Sequence, residues 1–358
     1  MKKKISVKYF FNFKEDKRKS MEMISNYLYQ NQKKNKNFNV SKFIPSFSTT
    51  YSNILKVSWN LRYNRYIHYP KLAKKLKKFD VAHIIDHQYA HLVKHLPCQK
   101  KIITVHDLIP EKFKEQLGKT PHLVRYSLSH LKYFDKVIAV SNNTRNDILK
   151  YTDCPSKKIV VLQTTVDEKF NLTQINKKKI CDQYKIPYKS RKILIVGTNF
   201  YKNHETSLKI LEKIKKVYKK DVLLLKIGHK LKIPINNQIK KNILEIKNLP
   251  RSEINKIYKI SDLLLFPSVY EGYGLPLLEA MKSGIPIVAS NIKTTKEILG
   301  TYSELFHPFE INSYVKSILK IFENKNFTYN LKKKLKKTSY NFNQKEYFVK
   351  ISKLYEEN

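Results

Sequence analysis

Short apolar runs recur along the chain, and segments with helical periodicity lie between them. Such runs are typical of strands buried in a parallel sheet, and the intervening period is typical of helices that cover it. In the first half we predict strands at residues 4–10, 81–85, 101–105, 137–140 and 159–162. A helix at residues 17–30 has its apolar residues on one side, and another begins near Thr144, capped by Ser141. Residues 31–60 are polar and rich in Asn and Ser, so we predict no regular element there.

The alternation pauses at residues 167–190, which are polar and rich in lysine, with one short helical stretch at 177–184. It then resumes with predicted strands at residues 193–196, 222–225, 243–246, 262–266 and 285–289. Strands alternating with helices indicate βαβ units. We therefore predict two doubly wound parallel-sheet domains, residues 1–170 and 171–342, that face each other across a cleft. Ligands of such sheets bind beyond the carboxyl ends of the strands.

Residues 71–79 combine five lysines with apolar Leu72, Leu76 and Phe79, which share one face of a helix. Two interpretations remain open. A surface helix usually packs its apolar face on a core, and this is the commoner arrangement. A basic amphipathic helix can also lie on an anionic membrane.

Composition limits the class of protein. A length of 358 residues suffices for two domains, and 41% hydrophobic residues support globular packing. The longest apolar runs, about five residues, are too short to span a membrane, and Lys8 and Asn12 interrupt the apolar start too early for a signal peptide. Cys98, Cys154 and Cys181 are isolated, which fits a reducing compartment and gives no basis for structural zinc. We therefore expect a cytoplasmic protein.

Charge adds a second constraint. Lys and Arg number 71 against 29 Asp and Glu, a net charge of +42. Such an excess favours acidic partners, among them nucleic acid, anionic lipid and phosphorylated substrates. Lysine, asparagine and isoleucine are abundant throughout while glycine is scarce, so part of the excess reflects a general compositional bias.

Residues 270–280 form the most informative segment, because they follow a predicted strand and hold two glutamates, a proline and two of only seven glycines. Pro276 suits the first turn of a helix, and Gly284 is placed to end that helix about two turns later. The first N–H groups of a helix have no partner inside it, and Gly272 and Gly274 would let a ligand approach the backbone. The segment is thus a candidate phosphate or anion site. In the alternative, the glycines serve only the geometry of a tight turn.

The two glutamates of this segment have different alternatives. Glu279, in the early turns of the helix, is suited to accept hydrogen bonds from sugar or ribose hydroxyls, or only to complement the helix dipole. Glu271 lies in a glycine loop at the end of a strand, where a purely structural role is harder to assign.

Two further polar groups follow predicted strands directly. His106 would reach the ligand edge of the first domain, where an imidazole can bind a phosphate or a sugar hydroxyl or act as an acid or base. Gly197 and Lys202 follow the first strand of the second domain, and the Lys202 ammonium is a candidate diphosphate contact. The alternatives are a structural histidine and an ordinary surface lysine.

Taken together, these motifs resemble those of retaining glycosyltransferases with the GT-B fold, which has two facing Rossmann-like domains, and in particular glycosyltransferase family 4 (group 1). Residues 266–290 carry that family's signature, including its paired glutamates. Further matches follow in the family's order over most of residues 80–355: residues 104–107, residues 137–141, Val166 and Asp167 with Phe170, and Gly197 with Lys202 and Asn203.

The resemblance implies a nucleotide diphosphate sugar as the donor, held mainly by the second domain, and no cofactor. Glu279 would bind the ribose and Glu271 the transferred sugar. Lys202, with the backbone of Gly272, Tyr273, Gly274 and Leu275, would bind the diphosphate, and His106 would contact the sugar near the bond that breaks. Transfer would retain the anomeric configuration without a metal ion. A final segment, residues 343–358, would pack back on the first domain as a helix.

Two departures from the family pattern stand out. Aromatic residues occupy positions 10–13, where many members have a glycine-rich turn, and this also disfavours a hydride-transfer dinucleotide fold. Many members have an arginine beside the lysine that matches Lys202, but Tyr201 and Asn199 occupy those places. Neutralisation of the diphosphate would then depend on Lys202 alone.

The sequence thus favours a transferase that moves a mannose- or glucose-type hexose to a glycan or lipid-linked acceptor in surface polysaccharide synthesis. It would work in the cytoplasm, at the inner face of a membrane. One alternative is a GT-B sugar-nucleotide epimerase, which needs no acceptor. The other is a basic nucleic-acid-binding protein, which leaves Glu271 and Glu279 unexplained and lacks a binding motif, so no specific nucleic acid is expected.

Overall fold

The computed structural model describes residues 3–49, 57–117, 122–167, 170–171, 173–247, 249–302 and 304–357. The chain divides into two compact units. The first consists of Met1–Thr164 together with Gln344–Asn358, and the second of Thr165–Asn343.

The first unit is built on a parallel sheet, six-stranded within the described residues, with the order β2-β1-β3-β4-β5-β6. Its strands are β1 (Ile5–Phe10), β2 (Phe38–Phe43), β3 (Phe79–Ile84), β4 (Cys98–Val105), β5 (Lys136–Ala139) and β6 (Ile159–Val161). The prediction of no regular element at residues 31–60 was wrong, because β2 lies there and pairs with β1. Residues 50–56 of that stretch lie outside the described residues.

The helices before β6 lie between the strands, as the alternating pattern predicts. They are α1 (Lys19–Gln32), α2 (Val57–Tyr63), α3 (Tyr69–Lys74), α4 (Ile109–Lys112), α5 (His122–Leu128) and α6 (Asn142–Tyr151). A π-helical turn, Asn64–His68, joins α2 to α3, and a 3-10 segment, His87–His95, follows β3. Ser141 caps α6 as predicted, its Oγ accepting a hydrogen bond from the Thr144 N–H at 3.0 Å.

The amphipathic helix predicted at residues 71–79 was wrong in its extent. Helix α3 ends at Lys74, and Phe79 begins β3, where it pairs with Cys98. Leu76 packs against the core, as does buried Phe79. The apolar residues of this segment therefore contribute to the core of the first unit, through two elements rather than one helical face.

The second unit is built on another parallel sheet, again six-stranded in the described part of the chain, with the order β12-β11-β10-β7-β8-β9. Its strands are β7 (Arg191–Val196), β8 (Val222–Ile227), β9 (Ile243–Ile246), β10 (Leu263–Phe266), β11 (Ile287–Ser290) and β12 (Leu305–Phe306). All four residues of β10 and of β11 are buried. Strands covered on both faces account for the uninterrupted apolar runs of the sequence.

Helices again separate these strands and complete the unit. They are α7 (Lys177–Gln183), α8 (His204–Val217), α9 (Asn237–Lys240), α10 (Arg251–Ile260), α11 (Leu275–Ser283), α12 (Lys293–Leu299), α13 (Ile311–Glu323) and α14 (Lys325–Ser339). Helix α11 is the one predicted after the glycine loop. Pro276 lies in its first turn, and Gly284 ends it with φ 74°, a left-handed conformation that suits glycine.

The last helix, α15 (Gln344–Glu356), belongs to the first unit. Its Tyr355 hydroxyl lies 2.6 Å from the Tyr9 hydroxyl of β1 and 2.6 Å from Nδ1 of His83 in β3. His83 Nε2 lies 2.8 Å from the Thr104 hydroxyl of β4. Burial lowers the pKa of His83 to about 3, so the imidazole is neutral and can take part in this buried hydrogen-bond chain.

Within the described residues, no helix combines the length and apolar content needed to cross a bilayer.

Candidate active site

The order of the second sheet reverses between β7 and β10, which pair in parallel at its centre. A crevice forms where strand order reverses in such a sheet, and ligands bind there beyond the carboxyl ends. The two loops at this point contact each other, because the Val269 N–H donates to the Tyr201 carbonyl at 2.9 Å. Asn203 also joins them, since its Nδ2 donates to the Pro267 carbonyl at 3.1 Å.

Lys202 and Glu271 bridge this point. Lys202 follows β7, Glu271 follows β10, and the Lys202 Nζ donates to Glu271 Oε1 at 2.7 Å. The side chains are only 12% and 7% exposed, so water screens the pair weakly. The ammonium also lies 5.2 Å from the centre of the Phe266 ring, within cation–π range. The structure therefore brings together two of the residues selected from the sequence.

Gly197 supports the Lys202 side chain. It adopts φ 103°, and a Cβ added there would lie 2.8 Å from Lys202 Cε. The absence of a side chain thus lets the lysine stem pass directly over the backbone. The Gly197 carbonyl lies 3.0 Å from His204 Nε2. Burial, assisted by Lys226, lowers the pKa of His204 to about 4, so His204 is neutral at pH 7.

Glu279 lies on α11 and is 4% exposed. Its Oε1 accepts from Arg251, the first residue of α10, and its Oε2 accepts from the Tyr258 hydroxyl at 2.7 Å. Burial, with the neighbouring carboxylate, raises the pKa of Tyr258 well above its ordinary value. The Arg251 guanidinium packs 4.2 Å from the centre of the Phe170 ring. Side chains rather than the helix dipole alone therefore orient Glu279.

Only one of the two glycines before α11 adopts the left-handed backbone conformation that favours glycine. Gly274 is its N-cap with φ 97°, a left-handed conformation, whereas Gly272 does not have a positive φ. Gly272, Tyr273 and Gly274 are buried and Leu275 is partly exposed. The Thr294 hydroxyl donates to the Glu271 carbonyl at 2.8 Å, which fixes the loop from the side of α12.

Lys226 was missed by sequence reasoning. It lies near the end of β8, is fully buried, and donates to the carbonyls of Ile227 at 3.3 Å and His229 at 3.0 Å. A Cβ on Gly228 would lie 3.2 Å from its Nζ and 3.4 Å from the Gly197 carbonyl, so the ammonium lies close beneath the loop of Gly197. Burial lowers the pKa of Lys226 to about 8, and Glu245 opposes that effect.

His106 follows β4 in the first unit, as predicted. Its Nε2 donates to the Ile85 carbonyl at 2.8 Å, which fixes the hydrogen on Nε2 and leaves Nδ1 as an acceptor in the neutral ring. Burial lowers the pKa of His106, while Asp86 opposes that effect. The neutral imidazole is thus arranged to accept a hydrogen bond from a hydroxyl rather than to pair with a phosphate.

The first sheet has its own reversal of strand order, between β1 and β3, and a buried carboxylate lies there too. Asp86 follows β3 and accepts from Arg18, from Asn12 Nδ2 at 2.6 Å and from the Gln88 N–H at 3.0 Å. Burial by itself would raise the pKa of Asp86, but these donors, with Arg18 foremost, hold it below its ordinary range. Neighbouring His87 is 2% exposed, and its Nδ1 makes no hydrogen bond with any described residue.

The residues that replace a glycine turn after β1 are part of the core. Phe11 and Phe13 are 4% and 2% exposed. The Phe13 ring lies 5.3 Å from the Tyr69 ring and 5.6 Å from the Phe47 ring, centre to centre. Aromatic side chains thus fill the space beyond β1, and the polar groups at this edge come from Asn12 and Arg18 instead.

Comparison with known proteins identifies the family. The model described as "Glycosyl transferases group 1" matches residues 176–342, and that described as "Glycosyltransferase Family 4" matches residues 48–170. The chain belongs to glycosyltransferase family 4, group 1. The matched segments include the strand ends described above in both units, so the family resemblance predicted from residues 266–290 is confirmed.

Two relatives are mannosyltransferases by name. The serotype-specific mannosyltransferase WbdA of Escherichia coli is 25% identical over 233 residues, which are 59% of this chain and 28% of WbdA. The O-antigen chain mannosyltransferase RfbU of Salmonella typhimurium is 23% identical over 230 residues, covering 62% of this chain and 61% of RfbU. The chain therefore matches about a quarter of WbdA and about three fifths of RfbU.

A solved structure establishes the fold. HepE of Anabaena, crystallised with UDP and glucose, aligns with a TM-score of 0.69 and 13% identity, covering 98% of each chain. The predicted fold class is confirmed: the present chain has the GT-B fold, with one parallel sheet in each unit.

Proposed function

We propose that this group 1 family member is a retaining glycosyltransferase that moves a hexose from a nucleotide diphosphate sugar to a glycan or lipid-linked acceptor. The observation that carries the proposal is the Lys202–Glu271 pair at the central strand reversal of the second sheet, 2.7 Å apart and mostly buried. A buried cation beside a buried carboxylate offers both charges that a diphosphate sugar needs: a donor for the phosphates and an acceptor for sugar hydroxyls.

Donor binding would add a second hydrogen-bond partner to Lys202. In the structure its ammonium is paired with Glu271, and a lysine carries three N–H donors. The ammonium can therefore keep Glu271 oriented while it donates a second hydrogen bond to a diphosphate oxygen. Glu271 would in turn accept hydrogen bonds from hydroxyls of the transferred sugar, because a carboxylate oxygen can accept more than one.

Glu279 would bind the ribose. Arg251 and Tyr258 each engage one of its oxygens, yet each carboxylate oxygen can accept more than one hydrogen bond. Two fixed donors hold the carboxylate in place, and an immobile acceptor loses little side-chain entropy when hydroxyls bind.

Departure of the nucleotide diphosphate would be assisted electrostatically, with no metal ion and no cofactor. Lys202 and the N–H groups at the start of α11, near Gly272, Tyr273, Gly274 and Leu275, would stabilise the charge that develops on the leaving group. His106 would accept a hydrogen bond from a sugar hydroxyl through Nδ1, the ring nitrogen that does not donate to Ile85. Glu271 would stabilise the positive charge that develops on the sugar.

The hexose type, acceptor and location are proposed from different observations. Mannose is favoured by the names of WbdA and RfbU, and glucose by the complex of HepE with UDP and glucose. The name of RfbU, an O-antigen chain enzyme, supports a role in surface polysaccharide synthesis. A net charge of +42 would attract the protein to the anionic cytoplasmic face of a membrane, where a lipid-linked acceptor is accessible.

The test is a panel of UDP- and GDP-linked hexoses, scored first by thermal stabilisation of the full chain and then by slow hydrolysis. We expect one donor to raise the Tm and to be hydrolysed with the liberated sugar initially in the α anomer, as NMR would detect. Glu279→Ala should abolish the stabilisation, while Glu205→Ala, a control at an exposed glutamate on α8, should preserve it.

Stabilisation by no nucleotide sugar would refute the proposal. Interconversion of sugars without an acceptor would favour the epimerase instead.

A further inference from the structure

A cavity of about 980 Å³ lies at the amino edge of the second sheet, the edge opposite the candidate donor site. Arg191, the first residue of β7, lines it together with Asp262, which directly precedes β10. Lys202 and Glu271 lie in the loops that follow the opposite ends of the same two strands. The cavity is therefore separated from the donor site by the length of the sheet, and the mechanism proposed above does not use it.

Cations from five parts of the second unit converge on this cavity. They are Lys177 of α7, Arg191 of β7, Lys220 before β8, Lys259 of α10, and Lys325 and Lys332 of α14. The lining contains two carboxylates, Asp262 and Glu323, within the part of the chain that the structure describes.

Part of this positive charge is already compensated. Asp262 accepts from Arg191 at 3.1 Å and from the Lys192 N–H at 2.7 Å. The Lys259 ammonium donates to Asn171 Oδ1 at 3.1 Å and to the Thr173 carbonyl at 2.6 Å. These groups have partners without any ligand.

The other four lysines of the lining are exposed to solvent and have no carboxylate at ion-pair distance. Lys177, Lys220, Lys325 and Lys332 form no ion pair within 4.0 Å with any carboxylate in the described ranges. Burial and neighbouring Lys177 lower the pKa of the Lys332 ammonium, and Asp262 opposes that effect. Four like charges around one concave surface repel one another, and attraction to an anion between them would offset that repulsion.

Basic composition alone does not produce this arrangement, as the corresponding edge of the first sheet shows. A cavity of about 660 Å³ there is also lined by six lysines, but by four carboxylates as well: Asp80, Asp135, Glu356 and Glu357. Lys136 pairs with Glu357 at 3.1 Å. The same lysine-rich chain therefore places four carboxylates among six lysines at one sheet edge, but only two among six cations at the other.

A buried hydroxyl gives a second, independent indication of a ligand. Tyr218 is 8% exposed and lines the cavity, with its ring 5.5 Å from the Phe322 ring. Its oxygen lies against the Arg191 guanidinium and helps to raise the pKa of that group, whereas its own O–H donates to no acceptor among the described residues. Buried polar groups are normally hydrogen-bonded, so an unsatisfied hydroxyl in a basic cavity fits a missing acceptor atom.

We propose that the amino-edge cavity binds a small phosphate-bearing anion, of the size of a diphosphate or a phosphorylated sugar. Its volume lies within the range of small-molecule sites. The lysines would supply charge-assisted hydrogen bonds to the phosphate oxygens, and the Tyr218 hydroxyl would donate to one of them.

The test is lysine acetylation of the full chain, measured residue by residue by mass spectrometry, with and without inorganic pyrophosphate. At about ten times the dissociation constant, we expect acetylation of Lys177, Lys325 and Lys332 to slow about tenfold. Lys334 and Lys337, exposed on the same helix but outside the cavity lining, should react at unchanged rates. Because the readout is specific to each lysine, binding at Lys202 is scored separately.

A pair of charge-matched variants completes the test. Lys177→Gln with Lys332→Gln should weaken pyrophosphate binding at the cavity about tenfold, because two charged contacts are lost. Lys334→Gln with Lys337→Gln, which removes the same charge from the face of α14 away from the cavity, should leave it unchanged.

Three outcomes would overturn the proposal: no protection by pyrophosphate, equal protection of all lysines, and equal effects of the two double variants. Protection of the cavity lysines by phosphatidylglycerol vesicles but not by pyrophosphate would also overturn it, in favour of a lipid surface.

Discussion

Glu271 and Lys202 neutralise each other in a place where neither is well solvated, and this decides how each can act. A buried carboxylate without a partner would lose its charge or require a costly desolvation. The pair gives each buried group a partner of opposite charge, and it offers a ligand both an acceptor for hydroxyls and a donor for phosphates. Removal of one member should therefore impair the other.

Lys202→Met should weaken donor binding by more than the loss of one phosphate contact, because the buried Glu271 carboxylate would lose this ion-pair partner and would repel the diphosphate. We expect a loss of about a hundredfold in affinity, measured by titration calorimetry with the donor found in the panel. Lys209→Met removes an exposed lysine that pairs with Glu205 on α8 and should leave the affinity unchanged. An equal affinity in the two variants would contradict the site assignment.

Because Lys226 is buried, the stability of the folded protein should depend on pH. Its pKa in the folded protein, about 8, lies below the ordinary 10.5, so between these values the unfolded chain binds the proton that the folded chain has lost. Stability should therefore rise with pH from about 8 to 10.5, and the cost of the buried charge should be fully present below pH 8. Glu245 and His204 are the other titratable groups that act on this lysine from neighbouring elements.

Lys226→Met should remove that cost. We expect a gain in the free energy of unfolding of at most about 3 kcal/mol at pH 7, reduced by the lost hydrogen bonds to Ile227 and His229. The gain should shrink as the pH rises towards 10.5, as urea denaturation at several pH values would show. Lys230→Met, at an exposed position four residues further along, is the control. A gain independent of pH would show that burial of charge is not the cause.

The sequence predicts the motif residues of the site but not the groups that orient them. Glu271, Glu279 and Lys202 are recognisable because each stands in a local pattern of glycine, proline and strand end. Arg251 and Tyr258 are separated from Glu279 by 28 and 21 positions, and no local pattern links them to it. Such contacts depend on how two helices pack, and that packing is a property of the folded unit.

At the scale of elements, sequence analysis found strands whose apolar residues form a short, nearly uninterrupted run, both inside the sheets (β10, β11) and at their edges (β6, β9). Strand β2 lies at the edge of its sheet, and exposed Asn39 and Lys42 interrupt its apolar residues, so an uninterrupted run never forms. Strand β12 has only two residues, too few for any periodicity. Phe79 was assigned to a helix because its spacing fits one, but pairing with β4 prevails over local periodicity.

The loop after β7 gives a prediction at this scale, because a side chain at Gly197 would collide with Lys202. Gly197→Ala would strain a backbone at φ 103° and would drive Cβ into the Lys202 side chain. Gly300 is the matched control, since it also has a positive φ, 58°, but nothing lies within 4 Å of an added Cβ.

Both alanine variants should lose about 1 kcal/mol of stability from backbone strain. Only Gly197→Ala should also reduce donor affinity, by about tenfold or more, because it displaces the lysine. Unchanged donor affinity in Gly197→Ala would show that the position of the Lys202 stem is unimportant.

At the scale of the whole molecule, the chain completes the first unit only at its end. Helix α15 returns to that unit after the whole of Thr165–Asn343, and Tyr355 closes the buried hydrogen-bond chain to Tyr9 and His83. The residues just before α15 in sequence belong to the second unit, so only contacts with distant residues can hold the helix in the first unit. Its buried polar contacts should therefore contribute strongly to the stability of the first unit.

Tyr355→Phe should therefore destabilise the first unit by about 2–4 kcal/mol, because it leaves two buried polar groups without a partner. Tyr340→Phe, at a residue that is 65% exposed, should have no measurable effect. Urea denaturation followed by hydrogen exchange in β1 and β3 would measure the difference. Equal stability of the two variants would indicate that apolar packing alone retains α15.

The late return of α15 also bears on how the protein is made. During synthesis the second unit leaves the ribosome complete, while the first still lacks the helix that covers His83 and Tyr9. A nascent chain that stalls before Gln344 would present those two side chains, and the surface that α15 covers, to the solvent or to a chaperone. Emergence of α15 from the ribosome should therefore set the moment at which the first unit becomes resistant to proteases.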